Sequence, residues 1–484
     1  MKEFLGTTGL ILNEPLLWEK GKKGRVGFSL PRRDVEAAPI ADNLLGEGPD
    51  LPELSEVDVI RHYTRLSTWN FGVDTGMYPL GSCTMKYNPK TNEKQAALPG
   101  LAQAHPLLPP ELAQGALRLM YELERLLAEI TGMDAVSLQP AAGAHGELTG
   151  MLIFHAYHRQ RGAPRSKIII PDTAHGTNPA SAALCGFRAI PVKSNAQGII
   201  SPETVAAVMD EETAGIMVTN PNTLGLFEEH IKAIAEIVHA KGGLVYGDGA
   251  NMNAIMGIVD VGQIGIDVLH LNLHKTFSTP HGGGGPGAGP VCVKEHLAPF
   301  LPVPRIIKTN DQYALAENFP DSIGKLHAFY GNFGIMVRAY SYILSMGAQL
   351  KQASQLAVLN ANYVKERLKG TLHLPYDRPC MHECVFSDKL QEAAHVTTLD
   401  IAKRLIDYGF HPPTIYFPLV VHGAFMVEPP ETEAKEDLDL FVETIKTIVS
   451  EAREHPELLR EAPRRAKVRR LDETTAARHP CLRG

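Results

Sequence analysis

Apolar positions along the chain change their spacing near residue 113. Residues 1 to about 90 are rich in proline and glycine and lack a regular period, which predicts an extended arm with short helices. From Gln114 to Ile130, apolar residues recur at three- and four-residue intervals, as on one face of a helix. Further on, short apolar runs alternate with amphipathic segments. The runs predict strands at 135–138, 167–170, 215–219, 244–246 and 268–273.

Continuously apolar strands that alternate with helices indicate a mostly parallel sheet covered on both faces. The helix predicted at 230–240 ends at Gly242 and Gly243, which suit a C-terminal cap. Near residue 350 the pattern changes to that of a smaller α+β domain. Its predicted elements are a helix at 351–368, a strand at 382–387, a helix that opens with the capping box Thr397-Thr398-Leu399-Asp400 and stops at Gly409, and a helix at 437–452.

The predicted fold class is therefore α/β, with a large, mostly parallel sheet domain and a smaller C-terminal α+β domain. The predicted domain boundaries are 1–95 for the N-terminal extended arm, 96–345 for the large domain, 346–455 for the small domain and 456–484 for the C-terminal tail.

The charge balance bears on possible partners. The net charge of −7 and the pI near 6.3 argue against a nucleic-acid partner. A basic cluster in the tail is the local exception, and we interpret it as a solvated arm or a segment packed on a partner subunit, with nucleic-acid binding as the alternative. That cluster comprises Arg464, Arg465, Lys467, Arg469 and Arg470.

Cysteine usage and hydropathy bear on location and metals. The six cysteines are scattered, which does not resemble a disulfide framework. The run Cys380-Met381-His382-Glu383-Cys384 has ligand residue types, but no second pair follows, so we expect a buried strand and no metal. Neither a secretory signal nor an apolar run of about 18 residues is visible. We therefore expect a cytoplasmic protein with no membrane partner.

Two charged residues follow neighbouring predicted strands. Asp248 comes after Val245-Tyr246-Gly247, and Lys275 comes after the strand predicted at 268–273. Taken alone, the aspartate would be a strand-end cap and the lysine a surface residue. Together they have the layout of a pyridoxal phosphate (PLP) site. In such a site the lysine holds the cofactor covalently, and the acid keeps the pyridine nitrogen protonated so that the ring accepts electrons.

Other strand ends carry further candidates. The segment 139–147 opens a helix with small residues, which suits either a phosphate at the helix N-terminus or a tight structural turn. His175 follows the next strand and could stack on the pyridine ring, or it could be a packed or capping histidine. Thr219 and Asn220 could donate hydrogen bonds to the cofactor 3′ oxygen, although Asn-Pro is also a turn signal.

A glycine run follows Lys275. It matches a dinucleotide-binding fingerprint literally at Gly282, Gly284 and Gly287. That match is weak, because no strand-turn-helix unit surrounds it. We interpret the run as a flexible loop beside the lysine.

Several long motifs, in order, resemble the glycine decarboxylase P-protein family of the glycine cleavage system. They are Arg61-His62-Tyr63-Thr64-Arg65-Leu66-Ser67, Tyr78-Pro79-Leu80-Gly81-Ser82-Cys83-Thr84-Met85-Lys86-Tyr87-Asn88-Pro89, the run Thr219 to Glu228, Tyr246-Gly247-Asp248-Gly249-Ala250-Asn251 and Asn272-Leu273-His274-Lys275-Thr276-Phe277. The similarity extends from about residue 10 to Arg470-Leu471-Asp472-Glu473. By length, the chain resembles the lysine-bearing C-terminal half, which some organisms make as a separate subunit 2.

The resemblance implies an activity. Glycine would displace Lys275 from the cofactor and lose carbon dioxide, and the aminomethyl group would pass to the lipoyl disulfide of the H-protein. The implied partners are the homologous lysine-less subunit 1 in an α2β2 heterotetramer, the lipoylated H-protein, and indirectly the T- and L-proteins.

The sequence motifs and the resemblance together give a set of candidate site residues. The catalytic candidates are Lys275, Asp248 and His175. The further cofactor-binding candidates are Ala141, Ala142, Gly143, Thr219, Asn220, Ala250 and His274, and the substrate-side candidates are Ser82, Cys83, Thr84 and Asn178. Cys83 as a redox nucleophile is the alternative to a lining role.

Other functions remain open at this point. One alternative is another PLP enzyme of fold type I, such as an amino-acid decarboxylase or a cysteine desulfurase. A desulfurase should carry a cysteine on a mobile loop after the lysine, and Cys292 follows a strand-like Pro290-Val291 instead. A catalytically silent scaffold subunit is the third alternative, and Lys275 and Asp248 both argue against it.

Overall fold

The computed structural model describes residues 14–281 and 287–482. Its α-helices are α1 (Leu17–Lys20), α2 (Glu56–Ser67), α3 (Lys90–Ala96), α4 (Pro99–Ala102), α5 (Gln114–Thr131), α6 (Gly143–Gln160), α7 (Thr177–Leu184), α8 (Pro202–Val208), α9 (Ile231–Ala240), α10 (Leu273–Thr276), α11 (Phe333–Met346), α12 (Leu350–Leu368), α13 (Thr398–Asp407), α14 (Lys435–Glu454), α15 (Pro456–Arg460) and α16 (Glu473–Arg478).

The strands form three sheets. They are β1 (Ala135–Ser137), β2 (Lys167–Pro171), β3 (Arg188–Val192), β4 (Thr213–Thr219), β5 (Leu244–Gly249), β6 (Val268–Leu271), β7 (Val291–Val293), β8 (Arg305–Thr309), β9 (Gln312–Ala316), β10 (Cys384–Ser387), β11 (Thr414–Ile415) and β12 (Ala424–Val427). The largest sheet has the order β1-β7-β6-β5-β4-β2-β3. Only β7 runs antiparallel to its neighbours, so the sheet is mostly parallel, as predicted.

The large sheet is buried on both faces because successive apolar side chains of its strands enter different cores. In β4, Ile216 packs into one core with helices α5 and α9, whereas Met217 packs into the other core with α6. Val245 and Tyr246 of β5 divide in the same way. This two-faced burial is why the strands have continuous apolar sequences.

The smaller sheet, β10-β12-β11, is antiparallel. One of its faces packs on α12, α13 and α14 through a core that includes Phe386, Phe425 and Phe441. The capping box predicted at Thr397 is present, because Thr397 Oγ1 accepts a hydrogen bond from Asp400 N and Asp400 reaches back to the Thr397 N–H. This α+β part follows the large sheet in the chain, as predicted.

Some strands begin or end at other residues than predicted. β6 stops at Leu271 rather than at residue 273, because the carbonyl of Asn272 accepts hydrogen bonds from the N–H groups of Lys275 and Thr276 and so opens α10. Lys275 therefore lies in a short helix and not at a strand end. The strand predicted at 382–387 begins at Cys384. The sequence pattern also missed β3, an edge strand that carries Arg188 and Pro191.

By its internal contacts, the chain divides into two compact units. One falls within Met1–Gly76 and Pro463–Gly484, and the other is Met77–Ala462. In the first unit, the carboxylate of Glu14 is almost fully buried and pairs with Lys20, His62 and Arg65. The domain boundaries at residues 95, 345 and 455 remain predictions. Among the described residues, no helix combines the length and apolar character needed to cross a membrane.

Candidate active site

A cavity of about 120 Å³ opens at the carboxyl ends of β4, β5 and β6. Ligands bind at this edge of open α/β sheets. The wall of the cavity contains Ser82, Gly143, Ala144, Glu147, His175, Thr177, Thr219, Thr223, Asp248, Ala250, Asn251, His270, Asn272 and Lys275. A larger cavity of about 210 Å³, lined in part by Glu124, Arg305 and Tyr330, contains none of the predicted site residues. The chemistry of the lining therefore identifies the smaller cavity as the candidate active site.

Lys275 reaches this cavity from α10. The residue is only 9% exposed, and its Nζ donates a hydrogen bond to the carbonyl oxygen of Ser82 at 2.9 Å. Ser82 has a positive φ of 61°, which is uncommon for a residue other than glycine. The unusual turn at Ser82 thus provides the acceptor for the lysine amine.

Asp248 is buried in the same cavity wall, with 3% of its surface exposed. Its Oδ1 accepts a hydrogen bond from Ala250 N at 2.9 Å, and its Oδ2 accepts one from Asn178 Nδ2 at 3.1 Å. Burial raises the pKa of Asp248, but the interaction with His270 and these two hydrogen bonds outweigh it, so the pKa lies below the usual value. Asn178, which was predicted on the substrate side, thus contacts Asp248 instead of lining the cavity.

His270 is a site residue that the sequence analysis missed. It stands opposite Asp248 in the parallel pairing of β5 and β6, with its Nε2 3.4 Å from Asp248 Oδ1. Its Nδ1 is 2.6 Å from the hydroxyl of Tyr246, and its Nε2 is 2.9 Å from Asn272 Oδ1. A histidine inside the otherwise apolar run Val268-Leu269-His270-Leu271 was the available signal.

Glu147 was missed as well. Its carboxylate accepts hydrogen bonds from Thr177 Oγ1 at 2.6 Å and from Ser181 Oγ at 3.1 Å. Burial and the nearby charge of Asp248 raise the pKa of Glu147. This role could not be predicted from the sequence, because a lone glutamate in a helix resembles a surface residue.

The N-terminus of α6 forms a close-fitting part of the cavity. A Cβ added at Gly143 would lie 2.6 Å from Asn272 Nδ2, and one added at Gly146 would lie 2.7 Å from His270 Cβ. Gly143 lines the cavity, whereas Ala141 and Ala142 precede α6 and do not. The 18-residue helix directs its N-terminal N–H groups towards this end, which suits an anion such as a phosphate.

Of the other cofactor-binding candidates, two line the cavity and two do not. Thr219 and Ala250 line the cavity, and Thr219 Oγ1 is a buried hydroxyl with no hydrogen-bond partner among the described residues, so it is available to a ligand. Asn220 does not line the cavity, and its Oδ1 accepts a hydrogen bond from Glu228 N. His274 is also outside the lining, and burial lowers its pKa to about 3.

His175 lies in the cavity wall. Its Nδ1 is 2.8 Å from Thr177 Oγ1, and its ring meets Phe417 edge-on with centroids 5.6 Å apart. The hydrogen bond to Thr177 fixes the imidazole at the opening of the site. Stacking of this ring on a cofactor remains a prediction.

The Ser82-Cys83-Thr84 turn closes one side of the site. Only Ser82 lines the cavity; Cys83 Sγ is 3.6 Å from His281 Nδ1, and Thr84 Oγ1 donates a hydrogen bond to Glu428. Burial raises the pKa of the Cys83 thiol, so the thiolate is disfavoured. That shift argues against Cys83 as a redox nucleophile. Of the glycine run after Lys275, residues 282–286 lie outside the described residues.

The run Cys380 to Cys384, for which we expected a buried strand, lies partly within β10. Both cysteines are buried free thiols. The N–H of Cys380 donates to Asn362 Oδ1, and Cys384 begins β10. The buried-strand interpretation is thereby confirmed for Cys384, while Cys380 precedes the strand.

Family models match most of the second unit. Residues 100–315 match the glycine cleavage system P-protein, and residues 353–464 match the C-terminal domain of glycine dehydrogenase. A probable glycine dehydrogenase (decarboxylating) subunit 2 from Caldanaerobacter subterraneus subsp. tengcongensis is 61% identical over 475 residues, which is 97% of this chain and 98% of that protein. A protein of the same description from Alkaliphilus oremlandii is 56% identical over 470 residues, covering 96% and 97% of the two chains.

Solved structures support the fold. A crystal structure of glycine decarboxylase (P-protein) in an inhibitor-bound form has a TM-score of 0.72 at 19% identity and covers 84% of this chain and 93% of that chain. A cysteine desulfurase from Thermococcus onnurineus NA1 has a TM-score of 0.61 at 16% identity and covers 78% and 95%. These likenesses show the PLP fold type I. With the identity to the curated relatives extending over nearly its whole length, the chain belongs to the glycine dehydrogenase (decarboxylating) subunit 2 family of glycine cleavage system P-proteins.

Proposed function

We propose that this chain is the lysine-bearing subunit of a PLP-dependent glycine decarboxylase. One observation carries the proposal: Lys275 and Asp248, predicted from separate sequence motifs, line the same cavity at the sheet edge. The family relationship supports glycine as the substrate. When bound, PLP supplies a carbonyl for covalent attachment and a ring that accepts the electrons left by decarboxylation.

The residues present fit such a group. Thr219 Oγ1 lies in the cavity wall and is a buried hydroxyl without a hydrogen-bond partner among the described residues, and Gly143 lines the cavity at the N-terminus of α6, where free N–H groups suit a phosphate. Asp248 is supported as a carboxylate by Asn178 and Ala250, so it can keep a neighbouring ring nitrogen protonated. We assign covalent attachment to Lys275, ring stacking to His175 and phosphate binding to the start of α6.

The substrate side is proposed to be the Ser82-Cys83-Thr84 turn. Ser82 offers its carbonyl oxygen to the Lys275 amine, which holds the amine at the cavity wall. The free amine of Lys275, or the amine of bound glycine, could donate a hydrogen bond to this same Ser82 carbonyl oxygen. The turn would therefore orient an amino group and help to exclude water from it.

The assembly and its partners are part of the proposal. The family relationship supports a homologous lysine-less subunit 1, an α2β2 heterotetramer, and transfer of the aminomethyl group to the lipoyl group of the H-protein. The T- and L-proteins would act on the product indirectly. The cytoplasmic location remains the prediction made from the sequence.

A cysteine desulfurase has a similar fold but fits this chain poorly. Cys292, the first cysteine after Lys275, is fully buried within β7, and burial raises its pKa to about 12. A thiol in that state is not a nucleophile at neutral pH. No described contact brings Cys292 to the candidate site.

The test is exchange of labelled bicarbonate into the carboxyl group of glycine. We expect exchange in the presence of PLP, lipoylated H-protein and subunit 1, and its loss in Lys275→Ala with the fold retained. Lys308→Ala, at an exposed lysine paired with Asp311, is the matched control and should behave as wild type. Appreciable exchange in Lys275→Ala would refute the role of Lys275. No exchange by wild type, despite a visible PLP absorbance band, would refute glycine as the substrate.

A further inference from the structure

Two buried carboxyl groups face each other beside the candidate site. Glu383 precedes β10 and Glu428 follows β12, and the pairing of Cys384 with Val427, continued by one residue, places the two glutamates opposite each other. Their exposures are 0% and 1%. Like charges directly opposite on paired strands repel, and a buried unpaired charge is costly. Two ionised carboxylates are therefore unfavourable here.

Both glutamates hold the turn that accepts the Lys275 amine. Glu383 Oε2 accepts a hydrogen bond from Ser82 N at 2.7 Å, and Glu428 Oε1 accepts one from Thr84 Oγ1. The other oxygens, Glu383 Oε1 and Glu428 Oε2, are buried and have no hydrogen-bond partner within the described chain. Each carboxyl group thus has one oxygen anchored on the turn and one oxygen available to a proton.

A histidine completes the cluster. His382 is fully buried, and neither ring nitrogen has a hydrogen-bond partner among the described residues. Its Nε2 lies 3.9 Å from Glu383 Oε1 and 4.0 Å from Glu428 Oε1. Burial and the charge of Lys275 lower the pKa of His382 to about 3, so the imidazole is neutral and does not balance the glutamates.

The surrounding charges favour the binding of one proton by the two glutamates. The titratable groups that act on the pair are Lys275, Lys86, Glu431 and the Cys83 thiol. Lys86 is committed to Glu431, with Nζ 2.6 Å from Oε1. That leaves the single charge of Lys275 to face two glutamates. Burial raises the pKa of Glu428 to about 7, and burial together with Glu428 raises that of Glu383 further.

We propose that Glu383 and Glu428 share one proton and form an acid–base site linked to Lys275, which binds a second proton whenever the Lys275 amine gives up its positive charge. The step balances: an N–H bond of the ammonium breaks, an O–H bond forms on the second carboxylate, and no electrons are gained or lost. Ser82 lies between the two partners, since its carbonyl accepts from Lys275 and its N–H donates to Glu383. The inference rests on the proposed role of Lys275.

A divalent cation would be the other way to neutralise two carboxylates. Among the candidate ligand atoms, His382 Nε2 lies 3.9 Å from Glu383 Oε1 and 4.0 Å from Glu428 Oε1. Protein ligands at about 2.0–2.2 Å from one ion lie only about 3.5 Å from each other. The positive charge of Lys275 also opposes a cation. A shared proton therefore fits the geometry better.

The test is infrared difference spectroscopy of the full-length protein at neutral pH. We expect one C=O stretching band of a protonated carboxyl group that disappears in both Glu383→Gln and Glu428→Gln, because one proton belongs to both residues. Glu124→Gln is the matched control. Burial raises the pKa of Glu124 to about 8, so that variant should lose a separate band and keep the shared one. Circular dichroism checks that each variant is folded.

A second measurement examines the link to the lysine and keeps the inference testable if a glutamine variant misfolds. In Lys275→Met the band should grow about twofold, because loss of a nearby cation raises the proton affinity of a carboxylate. Lys308→Met should leave the band unchanged. The absence of any carboxyl band that is lost in both glutamine variants, no growth of that band in Lys275→Met, or one tightly bound metal ion per chain would each overturn the proposal.

These outcomes are separate from the outcome for the proposed function. The infrared band requires neither glycine nor turnover, whereas bicarbonate exchange reports turnover alone. A normal band with no exchange would reject the glycine decarboxylase assignment and keep the carboxyl pair. Normal exchange without the band would keep the glycine decarboxylase assignment and reject the carboxyl pair.

Discussion

Removal of the Asn178 side chain tests how the protein keeps Asp248 ionised. Asp248 is buried, and its two hydrogen bonds come from Ala250 N and Asn178 Nδ2. Asn178→Ala deletes one of them without changing the acid itself. A hydrogen bond to a charged group contributes about 1.5–3 kcal/mol. One pKa unit corresponds to about 1.4 kcal/mol, so the pKa of Asp248 should rise by about 1–2 units.

The acidic limit of the pH profile for bicarbonate exchange should move to higher pH in Asn178→Ala. The pKa of Asp248 in the folded protein is below its usual value. The ionised carboxylate therefore stabilises the folded state at neutral pH, and this stabilisation is lost as the pH falls through that pKa. In Asn178→Ala the loss begins at higher pH. Bicarbonate exchange should therefore remain measurable near neutrality, while the acidic limb of its pH profile moves up by about 1–2 units.

The assay is exchange measured at saturating PLP between about pH 3 and about pH 8 for wild type and variant, because the acidic limb of the wild type should lie below the usual aspartate pKa of about 3.9. Asn362→Ala is the control, because Asn362 Nδ2 also donates partly buried hydrogen bonds, to Val358 O and Cys380 O, but does not line the cavity. It should lower stability without moving the limb. An acidic limb that is the same in Asn178→Ala and wild type would refute our account of Asp248.

Three further substitutions test single contacts. Asp248→Asn should keep PLP absorbance but lose most exchange, because the amide cannot keep a ring nitrogen protonated; near-normal turnover would exclude the assigned role. Tyr246→Phe leaves His270 Nδ1 buried without its partner at 2.6 Å and should cost about 1–3 kcal/mol in a denaturant titration, and an unchanged midpoint would contradict this. Gly146→Val should weaken PLP binding in an absorbance titration, because its Cβ would lie 2.7 Å from His270 Cβ; unaltered affinity would show that the helix can shift.

The sequence was most informative where a charged residue follows an apolar run. Asp248 and Lys275 follow apolar runs, and parallel strands bring such positions to one edge, so their meeting could be predicted. The alternation of strands and helices likewise predicted the sheet that the structure shows. Both predictions depend on local patterns that repeat along the chain.

Other site residues depend on pairing between distant segments. His270 is adjacent to Asp248 only because β5 and β6 are in a particular register. Glu383 and Glu428 meet only through the β10–β12 pairing, and their hydrogen bonds with Ser82 and Thr84 join segments 301 and 344 residues apart. No local period encodes such contacts. Asn178 illustrates the same limit, since it was a substrate-side candidate and its amide is hydrogen-bonded to Asp248.

The antiparallel strand β7 has a consequence for the order of folding during synthesis. Within the sheet, β1 pairs only with β7, through Ala135 with Val293 and its neighbours, although β1 emerges from the ribosome far earlier. The start of α6 follows β1 after five residues, so this wall of the cavity has its full support from the sheet only after Val293 has been translated. A nascent chain that ends before β7 should therefore fail to retain PLP. We therefore expect the cofactor to be captured only after this late strand has completed the sheet.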